Sequence, residues 1–206
     1  MPFLAAGGLA YAVAMRVLII DPDEVRGALV AQGLEGLKPL ELRRATAFDE
    51  AEADRFRPDV IVIASESPDR DTLESLREAN VHNPRPVVMF VDRSAPGLAA
   101  AAVDAGVAAY VVDGLQESRV RTVVEVAMTR FELMQKLRAD LQKAQADLAA
   151  RKAIERAKGL LMKERGLDEE AAFRLLRRLA MDTGRPLGAV ASDLVAFAGV
   201  LKGKAP

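Results

Sequence analysis

The sequence of 206 residues contains no cysteine and only one histidine, His82. The lack of cysteine excludes a disulfide scaffold and a thiolate nucleophile, and one histidine cannot form a metal site alone. No segment reaches the ~20 apolar residues that a membrane-spanning helix requires. The chain also has no nucleophile–base pair or metal-ligand cluster that would indicate an enzyme. We therefore expect a protein without catalytic residues, cofactor, bound metal or membrane contact.

Charge is divided unevenly along the chain, although the net charge is only −1. Residues 1–150 hold 17 Lys and Arg against 23 Asp and Glu, whereas residues 151–206 hold 12 against 7. Half of the residues are hydrophobic, which is ample for a buried core. A basic C-terminal part behind an acidic body indicates an anionic partner, with nucleic acid as the first candidate.

Residues 1–14 are apolar, but they lack the positively charged start of a secretory signal peptide. A second methionine, Met15, stands just before the first strand candidate. We interpret residues 1–14 as a disordered extension or a misassigned start, and the protein as cytoplasmic.

Short apolar segments alternate with helical segments from Arg16 onward. The strand candidates are 17–20, 60–63, 87–91 and 109–112, with a weaker one at 41–46. Helices fit 24–34, 48–56, 71–80, 95–105 and 115–135. This alternation predicts a doubly wound, five-stranded parallel sheet over residues 15–129, with functional residues in the loops that follow the strands.

Several motifs of this segment resemble the receiver domain of two-component response regulators. They are the strand-end acids, Pro58-Asp59, Ala105-Gly106 and Tyr110. The resemblance implies an acidic pair that binds a divalent cation, an aspartate that accepts phosphate, a Ser or Thr, and a lysine. In such a site the cation and the lysine would offset the charge of the phosphoryl group.

When the site residues of the receiver family are matched to this sequence one by one, several of them are missing. Asp21 matches the first acid. Pro22 occupies the position of the second, and Asp23 or Glu24 could restore that carboxylate. The remaining three positions carry the wrong chemistry: the acceptor position is Ala64, the hydroxyl position is Val91 and the lysine position is Asp113. We expect a pseudo-receiver that has lost aspartyl phosphorylation, and an unrelated flavodoxin-like domain is the alternative.

The helix that follows continues without interruption, because no Pro or Gly occurs between Gly114 and Gly159. Apolar residues recur there at spacings of three and four; they include Phe131, Met134, Leu137, Leu141 and Leu148. Such a near-heptad pattern favours a coiled coil over residues 130–152 and a parallel homodimer. Packing of the helix within its own chain is the alternative.

Residues 153–206 form a small three-helix domain in this interpretation. Gly166 and Gly184 supply the helix ends, and Pro186 suits the first turn of the last helix. Cationic residues lie outside the apolar stripes of these helices; they are Arg151, Lys152, Arg156, Lys158, Lys163, Arg165, Arg174, Arg177 and Arg178. A solvated helix face explains such a set in most proteins, and a surface for an anionic ligand is the alternative.

The spacing of small, aromatic and basic residues here resembles the ANTAR domain, the RNA-binding module of AmiR/NasT-type transcription antitermination regulators. The matching residues are Ala157-Lys158-Gly159, Leu161-Met162, Glu170, Ala172-Phe173, Leu176-Arg177, Ala180, Leu187 and Val190-Ala191. The resemblance implies a dimer that binds paired hairpins in a leader mRNA and prevents a terminator from folding, so that the RNA polymerase elongation complex continues. Residues expected at the RNA are Lys158, Gly159, Phe173, Arg174, Arg177 and Arg178. For Phe173, stacking on a base and packing within the protein are equal alternatives.

Within that family, two segments are similar to the NasT group, which regulates nitrate and nitrite assimilation. They are residues 67–74 and 110–115. The resemblance implies regulation by a nitrate-sensing, NasS-like protein rather than by phosphorylation. A DNA-binding response regulator is the alternative, although the last helix, residues 187–200, has none of the Arg, Lys, Asn or Gln side chains that read bases.

Overall fold

The computed structural model describes residues 14–35, 37 and 40–201. The expectation for the apolar segment 1–14 therefore falls almost entirely outside the described residues. Five strands alternate with helices in the first part of the chain: β1 (Met15–Ile20), α1 (Glu24–Gly33), β2 (Leu40–Ala45), α2 (Glu50–Phe56), β3 (Val60–Ser65), α3 (Arg70–His82), β4 (Val87–Val91), α4 (Leu98–Asp104) and β5 (Val107–Val112). Three helices follow: α5 (Glu117–Arg165), α6 (Glu169–Thr183) and α7 (Leu187–Leu201).

The five strands form one parallel sheet in the order β2-β1-β3-β4-β5. The central strands β3 and β4 consist almost wholly of Val, Ile and other apolar residues, because both of their faces are covered. One face packs on α1 and the start of α5, with Val30, Leu34 and Val124 in its core. The other face packs on α2, α3 and α4. The predicted doubly wound parallel fold is confirmed.

Aspartate side chains cap the N-termini of three of these helices. Asp23, Asp49 and Asp69 each accept a hydrogen bond from a backbone N–H of the first turn of α1, α2 and α3. These N–H groups have no partner within a helix, so the carboxylates satisfy them and also favour the positive end of the helix dipole. These caps define the N-termini of α1, α2 and α3.

The chain divides into two compact units, residues Met1–Met134 and Gln135–Pro206, and the 49-residue helix α5 contributes to both. We call them the receiver-like unit and the C-terminal unit. None of the helices among the described residues is both long and apolar enough to cross a membrane. The coiled coil over 130–152 and the domain boundaries remain predictions.

The C-terminal unit has a small core formed by the end of α5 together with α6 and α7. Its buried members are Ala157, Leu161, Ala172, Leu176 and Ala191. Asp168 caps α6, and Gly184 ends it in the left-handed conformation at φ 62°. Gly188 of α7 allows a close contact with Ala150 of α5. A Cβ added at Gly188 would lie 2.6 Å from the Cβ of Ala150.

Candidate functional site

At the strand-end site that the receiver resemblance predicts, an arginine of the chain itself lies among the carboxylates. Asp21, just after β1, is buried, with a side chain that is 1% exposed. Arg26, on the first turns of α1, donates from Nε and Nη2 to the two carboxylate oxygens of Asp21 at 2.9 and 3.0 Å. Its Nη1 donates to Asp92 at 2.9 Å. The hydrogen bond to Asp21 is the main reason why the pKa of Arg26 is raised. One guanidinium thus pairs with both carboxylates and offsets one of their two negative charges.

Asp23 does not join this group through its side chain. Its carboxylate caps α1, and the backbone N–H groups of Arg26 and Val25 lower its pKa. Only its backbone N–H contacts Asp21, at 2.8 Å. The structure therefore gives Asp23 a helix-capping role, and it places Asp92 beside Asp21 through Arg26.

The other positions assigned from the resemblance are spread over both faces of the sheet. Ala64 is fully buried on the face that α1 and α5 cover, whereas Val91 packs on the opposite face. Asp113 is exposed and has a left-handed backbone at φ 49°. Ala64 offers no nucleophile. No three His, Cys, Asp or Glu side chains within the described ranges are grouped as a metal site would need.

Arg26 and Asp92 were missed by sequence reasoning. The resemblance supplies no cation at position 26, and it assigns no role to Asp92. A signal did exist, because strand-end acids on a parallel sheet converge at one edge and require a compensating charge when they are buried. An arginine in the first turn of the adjoining helix is within reach of that edge.

A second group of charges lies on the C-terminal unit, where Lys158 links α5 to α6. Lys158 is a buried residue at 9% exposure, and its Nζ lies 2.9 Å from Glu155 and 2.6 Å from Glu169. The two carboxylates are about 70% exposed. Hydrogen bonds to Glu169 and then Glu155 raise the pKa of Lys158, and the same contact lowers the pKa of Glu169. Lys158 is therefore not a free cation in this state.

The cations of α6 differ in their pairing. Arg174 pairs with Glu170, and Arg178 lies 3.8 Å from Asp182, each one turn away along the helix. Arg177 is exposed and forms no side-chain contact with a charged group among the described residues. Phe173, four residues before Arg177 and hence next to it on the helix surface, is 40% exposed. The structure thus brings a free guanidinium beside an exposed aromatic ring.

Gly159 lies inside α5, exposed, with open space where a side chain would project. Its φ is not in the positive range, so the backbone conformation does not require glycine. Glycine inside a helix costs about 1 kcal/mol relative to alanine. No contact within the described residues accounts for that cost.

The predicted dimer residues lie along α5. Met134, Leu137, Leu141 and Leu148 are each more than half exposed, and Phe131 is partly buried. An exposed apolar row of this kind is uncommon on a monomer surface and is typical of interfaces. The homodimer remains a prediction.

Replacement of Arg26 by methionine tests the role of this arginine as the partner of the buried Asp21. Because Asp21 would keep its buried charge and lose its partner, we expect the free energy of unfolding to fall by about 3 kcal/mol. Urea denaturation followed by circular dichroism measures this change.

The double variant Arg26→Met with Asp21→Asn should recover much of the loss, because the unpaired charge is then gone. Arg70→Met, at an exposed position, is the control and should change the free energy by less than about 0.5 kcal/mol. A loss at Arg26 no larger than that of the control would contradict the assigned role.

Comparison with known proteins agrees with both units. A family model for the ANTAR domain matches residues 142–195. The transcriptional regulatory protein PdtaR of Mycobacterium tuberculosis, in strains CDC 1551 / Oshkosh and ATCC 25618 / H37Rv, is 31% identical over 150 residues, which cover 73% of this chain and 73% of the relative. A CheY-like response regulator receiver domain protein from Methanospirillum hungatei JF-1 shares the fold, with a TM-score of 0.50 and 18% identity over 59% of this chain and 98% of that one. The chain belongs to the family of ANTAR-domain transcriptional regulators that includes PdtaR.

Proposed function

We propose that the chain is an RNA-binding transcription antitermination regulator that acts on hairpins in a leader mRNA. The observation that carries this proposal is the surface of α6, where Phe173 lies exposed one turn from Arg177, a cation with no charged partner in the part of the chain that the structure describes. Hairpin loops present unstacked bases, which aromatic rings and guanidinium planes can stack upon, while cations neutralise the phosphates. Both kinds of contact are available on this one surface.

The open position at Gly159 supports the same surface. Since no neighbouring atom lies within 4 Å of the place where a Cβ would be, the glycine leaves room for another molecule to approach the α5 backbone. Lys158, Arg174 and Arg178 add positive charge, although each is paired with a carboxylate in this state. We expect these residues to complete the RNA interface.

A homodimer would present two such surfaces to two linked hairpins. The exposed row of Met134, Leu137, Leu141 and Leu148 on α5 is the proposed dimer contact. When two modules are linked, binding of the second hairpin becomes intramolecular and gains from a high effective concentration. RNA polymerase would then pass the terminator, whose folding the bound hairpins prevent.

The antitermination activity would be regulated by a protein partner rather than by aspartyl phosphorylation. Ala64 at the acceptor position has no nucleophile, and Arg26 occupies both oxygens of Asp21. By its similarity to the NasT group, the chain would act in the cytoplasm on a nitrate and nitrite assimilation operon, with a nitrate-sensing, NasS-like protein as its partner.

Binding of duplex DNA is less well supported. A helix that reads the major groove needs polar side chains such as Arg, Lys, Asn and Gln. Helix α7 has none of them, and its composition is dominated by Ala, Val and Leu.

Titration against leader RNA and duplex DNA tests the function. We expect the full-length chain to bind a tandem-hairpin RNA from the leader of its own operon at least about tenfold more tightly than the matching DNA duplex, because only the RNA offers looped bases. Arg177→Ala should weaken RNA binding by about 1–3 kcal/mol, the scale of a base-stacking contact. Filter binding at fixed salt measures both.

Arg119→Ala, an exposed arginine of the receiver-like unit, is the control and should leave the RNA affinity unchanged. A preference for the duplex would overturn the proposal, and equal losses for Arg177 and Arg119 would remove α6 from the interface.

Replacement of Gly159 by alanine separates stability from binding. The change should stabilise α5 by about 1 kcal/mol, because alanine is the better helix former and the space is open. The same methyl group should lower RNA affinity by about tenfold if the RNA approaches the backbone there. Thermal unfolding and filter binding give the two readouts.

Gly188→Ala is the matched glycine variant, and it should behave in the opposite way in the unfolding measurement. Its added Cβ would meet Ala150 at 2.6 Å, so we expect a destabilisation of about 1–3 kcal/mol. Unchanged RNA affinity in the Gly159 variant would show that glycine is not needed for binding.

A further inference from the structure

The Lys158 ammonium group is surrounded by more negative charge than its own positive charge can balance. Glu155 lies one turn earlier on α5, and Glu169 is the first residue of α6. With both carboxylates within 3 Å of one ammonium, the local net charge is −1. A phosphate group would be repelled from this site unless one carboxylate moved away.

The ion pairs are not what holds the two helices together. The buried apolar residues Ala157, Leu161 and Leu176 join α5 to α6, and Asp168 caps α6 independently. Ion pairs with an exposed partner contribute little to stability. Release of Glu169 would therefore leave the helix packing in place.

Glu169 can leave the ammonium group at low cost, because it is 71% exposed and would be hydrated as soon as it moved. Lys158 keeps Glu155 at 2.9 Å, so the ammonium group is not left unpaired during the exchange. A nucleic-acid phosphate can then take the position of Glu169, and the open surface at Gly159, the next residue, lets one come near.

We infer that Glu169 is an internal competitor for RNA: it occupies Lys158 in the free protein and is displaced by an RNA phosphate on binding. This inference rests on the proposed function and adds a regulatory element to the same surface. The exchange sets the affinity lower than a free lysine would, and it allows any change that moves the start of α6 to alter RNA binding.

The test is a double-mutant cycle with the full-length chain and the tandem-hairpin leader RNA. Glu169→Gln should raise the affinity by about three- to fivefold, because Lys158 loses its nearest competitor. In the Lys158→Met background the same change should have no more effect than Asp193→Asn. Asp193 is the matched control: it also lies in the C-terminal unit and is also paired, but its partner Arg185 has no assigned place in the RNA interface.

Circular dichroism checks that each variant keeps its helical content, and Lys158→Gln replaces Lys158→Met if the latter does not. A drop in affinity for Glu169→Gln would show that the pair is a structural clamp and would overturn the inference. An equal gain in RNA affinity with and without Lys158 would show that the effect comes from the net charge of the protein, and this result would overturn the inference as well. If the wild-type chain binds no hairpin RNA, the proposed function fails, and the inference fails with it.

Discussion

The uninterrupted helix α5 is the element on which both parts of the molecule depend. Its start contributes Val120 and Val124 to the core of the receiver-like unit, and its end contributes Ala157 and Leu161 to the core of the C-terminal unit. Neither core is complete without it. The absence of Gly and Pro between Gly114 and Gly159 allows one helix to do this over 49 residues. The proposed dimer contact lies on this helix, and so do Lys158 and Gly159 of the proposed RNA surface.

Ion pairing between side chains of the same unit is common to both units. In the receiver-like unit Arg26 holds the two oxygens of Asp21, and in the C-terminal unit two glutamates hold Lys158. The two cases differ in burial, which decides how easily each can change. Asp21 is almost wholly enclosed, so its pair is a fixed part of the fold, whereas Glu169 is exposed and can be replaced.

Much of the fold could be predicted from the sequence because its signals are local. Runs such as Val60–Ile63 read as buried strands, and glycines at 166 and 184 mark helix ends through their left-handed backbone. The site was less predictable, because side-chain pairing joins residues far apart, as in Arg26 with Asp92. Successive residues of a strand point to opposite faces of the sheet, and Val91 at the end of β4 lies on the face opposite Ala64. The burial of Lys158 depends on the packing of α6 against α5.

The most direct measurement of the central claim is single-round transcription in vitro. The template carries the leader of the chain's own operon with its terminator, and the fraction of full-length transcript is measured as purified protein is added to RNA polymerase. The account predicts that this fraction rises with protein concentration and reaches a plateau. An unchanged fraction at concentrations that saturate binding to the leader RNA would contradict it.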